Sequence, residues 1–132
     1  RRKMQLDFVE NINEFGENVV RLFDFDKEQA IYFKELIQEV IIKRNLKLDL
    51  SRADFIETEH YNLILGIYKE DEGIVTEDNK TFFCLLTLSS YMRMVELLEP
   101  FCKKEAKGFE YLYDVDNPTD LLFAPTASVI LD

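Results

Sequence analysis

The stretch RLFDFDKEQA, residues 21 to 30, places two aspartates where an apolar run gives way to helical spacing. Apolar side chains then recur with the period of an amphipathic helix: Ala30, Phe33, Leu36, Ile37, Val40 and Ile41. Asp26 stands where an N-cap belongs, and Gln29 follows three residues later, which is the spacing of a capping box. The pattern therefore predicts a helix over residues 27–44 that begins at Asp26.

The chain on either side of this helix predicts strands. MQLDFV (4–9) alternates apolar and polar residues, and NVVRLFDF (18–25) follows it after a turn, so we predict a hairpin. HYNLILGIY (60–68) and TFFCLLTL (81–88) are apolar at nearly every position, which is typical of strands covered on both faces. We expect these two to form an antiparallel hairpin whose loop carries five acidic residues.

The last third of the chain predicts a second helix and further strands. The helix starts near Ser89 or Ser90, and Pro100 either kinks it or begins a new turn. GFEYLYDV (108–115) alternates as a strand does, and residues 121–123 suggest a short edge strand. We predict a single α+β domain over residues 1–132, with one mostly antiparallel sheet of about five strands, two helices on one face and the order ββαββαβ. The pattern leaves the strand order open.

Charge and composition exclude several classes of partner. With 26 acidic against 16 basic residues, the 132-residue chain has a formal net charge of −10, and such a surface repels nucleic acids and anionic membranes. No apolar run reaches the roughly 18 residues of a membrane span. Cys84 and Cys102 lie in apolar patterns, where cysteine is usually a small buried hydrophobe, and a disulfide would need the fold to bring them together. We expect a cytoplasmic protein that binds neither nucleic acid nor membrane.

The stretch VVRLFDFDKE (19–28) resembles the first motif of haloacid-dehalogenase-type phosphatases, in which a strand ends in Asp-x-Asp. The resemblance implies that Asp24 and Asp26 act as nucleophile and acid/base beside magnesium. Lys27 and Glu28 depart from the small residues that the family has at their positions, and they place bulk where a phosphate must approach. We therefore favour helix capping by Asp26 over catalysis.

The segment DVDNPTD (114–120) resembles the start of an EF-hand calcium loop. Such a loop needs Gly at its sixth position and Glu at its twelfth, where this chain has Thr119 and Pro125. His60 is the only histidine, which excludes a multi-histidine metal cluster within one chain. We predict no catalytic, metal-binding or cofactor-binding residue, and a turn rather than an ion site between Asp114 and Asp120.

Two functional hypotheses remain. The first is a non-enzymatic protein-interaction module, which uses its acidic surface and its apolar ending, LLFAP (121–125) with SVIL (128–131), to meet a protein partner or a second copy of itself. In size and charge it resembles toxin-immunity proteins, which neutralise basic proteins. The alternative is a metal-assisted hydrolase or phosphatase that uses Asp24 and Asp26, or the Asp114–Asp120 cluster.

Overall fold

The computed structural model describes residues 2–104 and 107–126. Within those ranges the elements follow in this order: β1 (Met4–Val9), β2 (Asn18–Phe23), α1 (Lys27–Leu36), β3 (Leu48–Asp49), β4 (Ile56–Glu57), β5 (Asn62–Ile67), β6 (Gly73–Thr76), β7 (Thr81–Leu86), α2 (Leu88–Lys103), β8 (Glu110–Tyr111) and β9 (Thr119–Ala124). A π-helical segment, Ile37–Lys43, continues α1, and a 3-10 turn, Leu50–Arg52, follows β3. The predicted α+β class is confirmed.

The described strands form two mixed sheets, where one sheet was predicted. The five-stranded sheet has the order β4-β1-β2-β9-β8, and the four-stranded sheet has the order β3-β5-β7-β6. After α1 the chain alternates between the two sheets. β3 pairs with β5 in the four-stranded sheet, and β4 then pairs with β1 in the five-stranded sheet. These two strands have only two residues each, too few to show an alternating pattern.

The two predicted hairpins have different outcomes. The first is confirmed, since β1 and β2 pair antiparallel with Leu6 opposite Leu22. The second is wrong: β5 and β7 are parallel neighbours. Residues 73–76, predicted as part of a loop, form β6 and pair antiparallel with the outer side of β7. Gly73 begins this strand at a φ of 80°, a left-handed conformation that favours glycine.

The predicted edge strand at residues 121–123 is also corrected. It belongs to β9, which lies between β2 and β8 and runs parallel to β2. The Phe123 ring packs against Phe25, Phe33 and Phe101, with ring centroids 4.0, 5.6 and 5.2 Å away. The LLFA part of the apolar ending is thus buried core and is not open to a partner. The SVIL part lies outside the described residues.

The helices complete the same core. The predicted first helix is confirmed over α1 and its π-helical continuation to Lys43. The second begins at Leu88 with Thr87 as its N-cap and continues through Pro100, which neither ends it nor begins a new turn. The Lys34 ammonium on α1 meets the Glu99 carboxylate on α2 at 2.5 Å. No helix among the described residues combines the length and the apolar content needed to cross a membrane.

The predicted strand over residues 108–115 is reduced to β8, two residues long. Leu112 and Tyr113, which follow β8, are buried although they lie outside regular structure. Phe109 and Tyr111, which the alternation placed on the same face as Tyr113, are exposed, so the pattern predicted neither the burial nor the strand pairing of this segment. The side chain of Tyr113 instead joins the two sheets, as described below.

Candidate functional site

Asp26 caps a helix, as predicted. Its Oδ1 accepts a hydrogen bond from the Gln29 backbone N–H at 2.9 Å, and the Gln29 Oε1 accepts one from the Asp26 N–H at 3.0 Å. This reciprocal pair is a complete capping box. The Asp26 carboxylate thus supplies an acceptor for a backbone N–H in the first turn of α1.

Asp24, the other half of the Asp-x-Asp motif, has a different environment. Its backbone is left-handed, with a φ of 54°, and its Oδ2 lies 3.1 Å from the Arg2 guanidinium. The two aspartates border one cleft of about 310 Å³ together with Arg2. Among residues 2–104 and 107–126, no three His, Cys, Asp or Glu side chains group so that they could hold a metal ion.

Asn117 organises the Asp114–Asp120 segment. Its Oδ1 accepts from the Thr119 backbone N–H at 2.7 Å, while its Nδ2 donates to the carbonyls of Glu72 at 2.6 Å and Ile74 at 3.0 Å. The Tyr113 hydroxyl donates to the Thr119 carbonyl and accepts from the Ile74 N–H. These bonds fasten the segment to the outer edge of β6, so the predicted turn has a structural role.

Two carboxylates of this segment, Asp114 and Asp120, border the same cleft. The pKa of Asp120 is raised, first by burial and then by the nearby charges of Glu17 and Asp114. Asp120 borders a cleft of about 460 Å³ between α2 and β8. The segment thus adds negative potential on this side of the molecule.

The cysteines and the histidine do not form a nucleophilic pair. Cys84 is fully buried, and burial raises the pKa of its thiol to about 12. Cys102 is half-buried, and burial raises the pKa of its thiol as well. Both are free thiols, while His60 is exposed. Cys84 is therefore a protonated core residue at neutral pH, as predicted for a buried cysteine.

The inner face of the four-stranded sheet is buried in the core, where it meets residues of both α2 and β1. The inward side chains of β5 and β7 are buried: Leu63, Leu65, Phe82, Cys84 and Leu86. The Tyr91 hydroxyl reaches this face from α2 and bridges the two strands. It accepts from the Gly66 N–H at 2.9 Å and donates to the Cys84 carbonyl at 2.6 Å.

The outward face of the same sheet presents apolar side chains. The strand registers align four residues across it, Asp49 on β3, Ile64 on β5, Phe83 on β7 and Val75 on β6. We call these four the outward row. Phe83 is 37% exposed and Val75 is 40% exposed, while Ile64 is half-buried. The half-buried Leu85 extends the apolar surface beside Phe83.

The segments before and after β6, the strand that carries Val75, are acidic. Residues 69–80 contain five acidic residues against two lysines. Asp71 accepts from the Thr87 N–H at 2.7 Å, and Asp78 accepts from the N–H groups of Lys80 and Thr81 at 2.9 Å each. A hydrogen bond shared with Glu70, together with some burial and the Glu70 charge, raises the pKa of Glu72.

The sequence pattern concealed this surface. TFFCLLTL is apolar on both faces, so it predicted a strand covered on both sides, whereas only Phe82, Cys84 and Leu86 face the core. The short apolar run GIVT could have predicted β6, and with it the apolar surface that β6 shares with β5 and β7.

Comparison with known proteins adds no family to these observations. No protein-family model matches the chain, and no curated protein is significantly similar to it in sequence.

Proposed function

We propose that the protein is a non-enzymatic interaction module that binds a basic protein through the outward face of its four-stranded sheet. The observation that carries this proposal is the outward row, where Ile64, Phe83 and Val75 form adjacent apolar positions on three paired strands. The sequence analysis expected the apolar binding surface in the C-terminal segment, whereas we now propose it on the four-stranded sheet.

The apolar centre supports binding of a protein. Apolar side chains that lie next to one another on an exposed sheet face are typical of interaction surfaces, whereas scattered ones are common everywhere. Aromatic residues at the centre of such a surface often dominate the binding free energy. Phe83 occupies that position, between Ile64 and Val75.

The charges around the row favour a basic partner over a second copy. Two copies would each bring a net charge of −10, and each would place the acidic segment 69–80 near the other. A basic protein would meet attractive potential, because its cations would lie near the carboxylates of Glu70 and Glu72. A neutraliser of a basic protein, acting in the cytoplasm, is the special case that we favour.

The test compares proteins retained from a native lysate by the wild type, by Phe83→Ala and by Met92→Ala. Met92 is the matched control, because it is an apolar side chain 52% exposed on α2, away from the outward row. We expect a basic protein to be retained by the wild type and the control but not by Phe83→Ala. Raising the salt from about 50 mM to about 300 mM should release it, because surface charge pairs are then screened.

Purified components make the test decisive. With the captured protein in solution, Phe83→Ala should weaken binding by about 30-fold or more, which is the range for a central aromatic. Equal binding by the wild type and Phe83→Ala would overturn the proposal. So would a captured partner that is acidic, or association of the chain with itself through this face.

The alternative, a metal-assisted hydrolase, has no specific support among the described residues. Asp26 is engaged in the capping box, Asp24 pairs with Arg2, and Asn117 holds the Asp114–Asp120 segment through backbone groups. We therefore propose no reaction for this chain.

A further inference from the structure

A second surface lies between α2 and the outermost strand of the five-stranded sheet. The cleft of about 460 Å³ that Asp120 borders has Ser90, Arg93 and Leu97 of α2 on one side and residues 110–114 on the other. We call it the β8 cleft. A cleft of this volume is large enough to bury a small ligand or a long side chain. None of its lining residues belongs to the outward row, so this surface is independent of the one proposed for the basic partner.

Tyr111 gives the β8 cleft an open aromatic ring. The ring is 39% exposed, and it forms a T-shaped pair with Phe109, with the ring centroids 5.7 Å apart. The pKa of the Tyr111 hydroxyl is raised, first by burial and then by the negative charges of Asp120 and Glu17, so these two carboxylates lie near the ring. Because Phe109 already supports the ring, a group that stacks on it has little side-chain motion to arrest.

The charged groups that line the β8 cleft are mostly negative. Three carboxylates, Glu110, Asp114 and Asp120, face one cation, Arg93, which leaves a surplus of two negative charges. The Arg93 guanidinium lies 3.4 Å from the carboxylate of Glu96 on the same helix. Within residues 2–104 and 107–126, none of the three carboxylates has an ion pair within 4.0 Å. The lone cation of the cleft therefore does not compensate its carboxylates.

Asp120 experiences this surplus directly. Burial raises the pKa of its carboxyl, and the charges of Glu17 and Asp114 raise it further. A cation beside the Asp120 carboxylate would stabilise its charged form against both effects. The β8 cleft thus combines an aromatic ring with negative charge, and both features attract cations.

We propose that the β8 cleft binds an arginine side chain of a partner protein. The guanidinium stacks on the Tyr111 ring and donates hydrogen bonds to Asp120 and Asp114, while the aliphatic part of the side chain packs against Leu97. Arginine suits these groups better than lysine, because its planar guanidinium can stack on a ring and donate two parallel hydrogen bonds to one carboxylate. The ammonium of lysine is a compact and strongly hydrated charge.

Titration with three small compounds tests the proposal, with amide chemical shifts read by NMR. N-acetyl-arginine amide is the probe, N-acetyl-citrulline amide has the same shape without the charge, and N-acetyl-lysine amide has the same charge without the planar group. We expect saturable shifts at Leu97, Leu112 and Asp120. The arginine compound should bind about fivefold more tightly than the citrulline compound, the effect of one charge-assisted hydrogen bond near the surface, and more tightly than the lysine compound.

Two variants locate the site. Asp120→Asn keeps the size of the side chain, and it should weaken binding of the arginine compound about fivefold while leaving the citrulline compound unaffected. Glu59→Gln is the matched control, because it removes one charge from an exposed side chain that does not line the cleft. It should leave both affinities unchanged. Burial and repulsion both disfavour the charge of Asp120, so its replacement by Asn should keep the fold, which the NMR spectrum of the variant checks.

Four results would overturn the proposal. The first is the absence of saturable shifts at the cleft, and the second is equal affinity for the arginine and citrulline compounds. The third is unchanged binding of the arginine compound by Asp120→Asn. The fourth is a lysine compound that binds as tightly as the arginine compound, because that would indicate a general attraction of cations to the acidic surface.

Discussion

Phe82 and Phe83 are consecutive on β7, yet they lie on opposite faces of the four-stranded sheet. Phe82 is fully buried, with its ring packed against Phe8 of β1 and Tyr61, whereas Phe83 is 37% exposed in the outward row. On the inner face, the Tyr91 hydroxyl also forms hydrogen bonds with two backbone groups, the Gly66 N–H and the Cys84 carbonyl. Two identical side chains thus differ in environment: one lies in the core, and the other lies on the surface that we propose for binding.

The largest expected effect separates these two residues directly. Phe82→Ala should lower the free energy of unfolding by about 3–5 kcal/mol, because it opens a cavity in the core. Phe83→Ala should lower it by less than about 1 kcal/mol, since solvent already reaches that ring. Denaturant unfolding of the two variants measures the difference. Similar losses in both would show that the outward row is as essential to the fold as the core.

A second prediction concerns the polar bridge on the inner face. Tyr91→Phe keeps the ring but leaves the Gly66 N–H and the Cys84 carbonyl without their hydroxyl partner. We expect a loss of about 2 kcal/mol in unfolding free energy, since buried unpaired groups are costly. Tyr32→Phe is the control, because Tyr32 is 46% exposed on α1. An equal, small effect in both variants would argue against a bridge by Tyr91.

A third prediction tests the capping box at Asp26, far from the outward face. Asp26→Ala should lower the free energy of unfolding by about 1 kcal/mol, whereas Asp26→Asn should lower it by only a few tenths, because Asn caps nearly as well. Thermal or denaturant unfolding gives both values. If Asn proved as damaging as Ala, the charge and not the hydrogen bond to Gln29 would be the stabilising feature.

The smallest expected effect depends on pH and concerns Asp71, which accepts a hydrogen bond from Thr87 at the start of α2. The hydrogen bond from the Thr87 N–H holds the pKa of the Asp71 carboxyl below its usual value. A lowered folded-state pKa stabilises the fold above the unfolded value, about 4, and this contribution is lost as the pH falls through the folded value. The stability difference between the wild type and Asp71→Asn should therefore be present near pH 7 and shrink below pH 4. A difference that grows on acidification would contradict this role.

Short-range signals in the sequence predicted local structure well. The spacing of Asp26 and Gln29 predicted the capping box, and alternation predicted the β1–β2 hairpin, because each depends on residues close in the chain. The two metal-site motifs were disfavoured because they depart from the family patterns, and the absence of an ion site stays a prediction; the structure places Asp26 and Asn117 in hydrogen bonds that hold the backbone.

Long-range pairing was not predictable in the same way. The parallel contact between β5 and β7 depends on where β6 lies, and nothing within either strand records that position. The interior place of β9 depends on β2, about a hundred residues earlier in the chain. The outward row was hidden for a related reason, since Phe82 and Phe83 are the same residue type and alternation cannot separate them.

The fastening of β6 by Tyr113 and Asn117 has a further consequence for how the protein behaves in concentrated solution. An uncovered sheet margin is a template on which another chain can add a strand, and continued addition leads to fibrils. The amide and carbonyl of Ile74 are occupied by side chains from residues 113 and 117, so that template is blocked beside an apolar face that would otherwise favour polymerisation. Tyr113 and Asn117 therefore protect this one edge of the four-stranded sheet from strand addition, next to the apolar face proposed for binding.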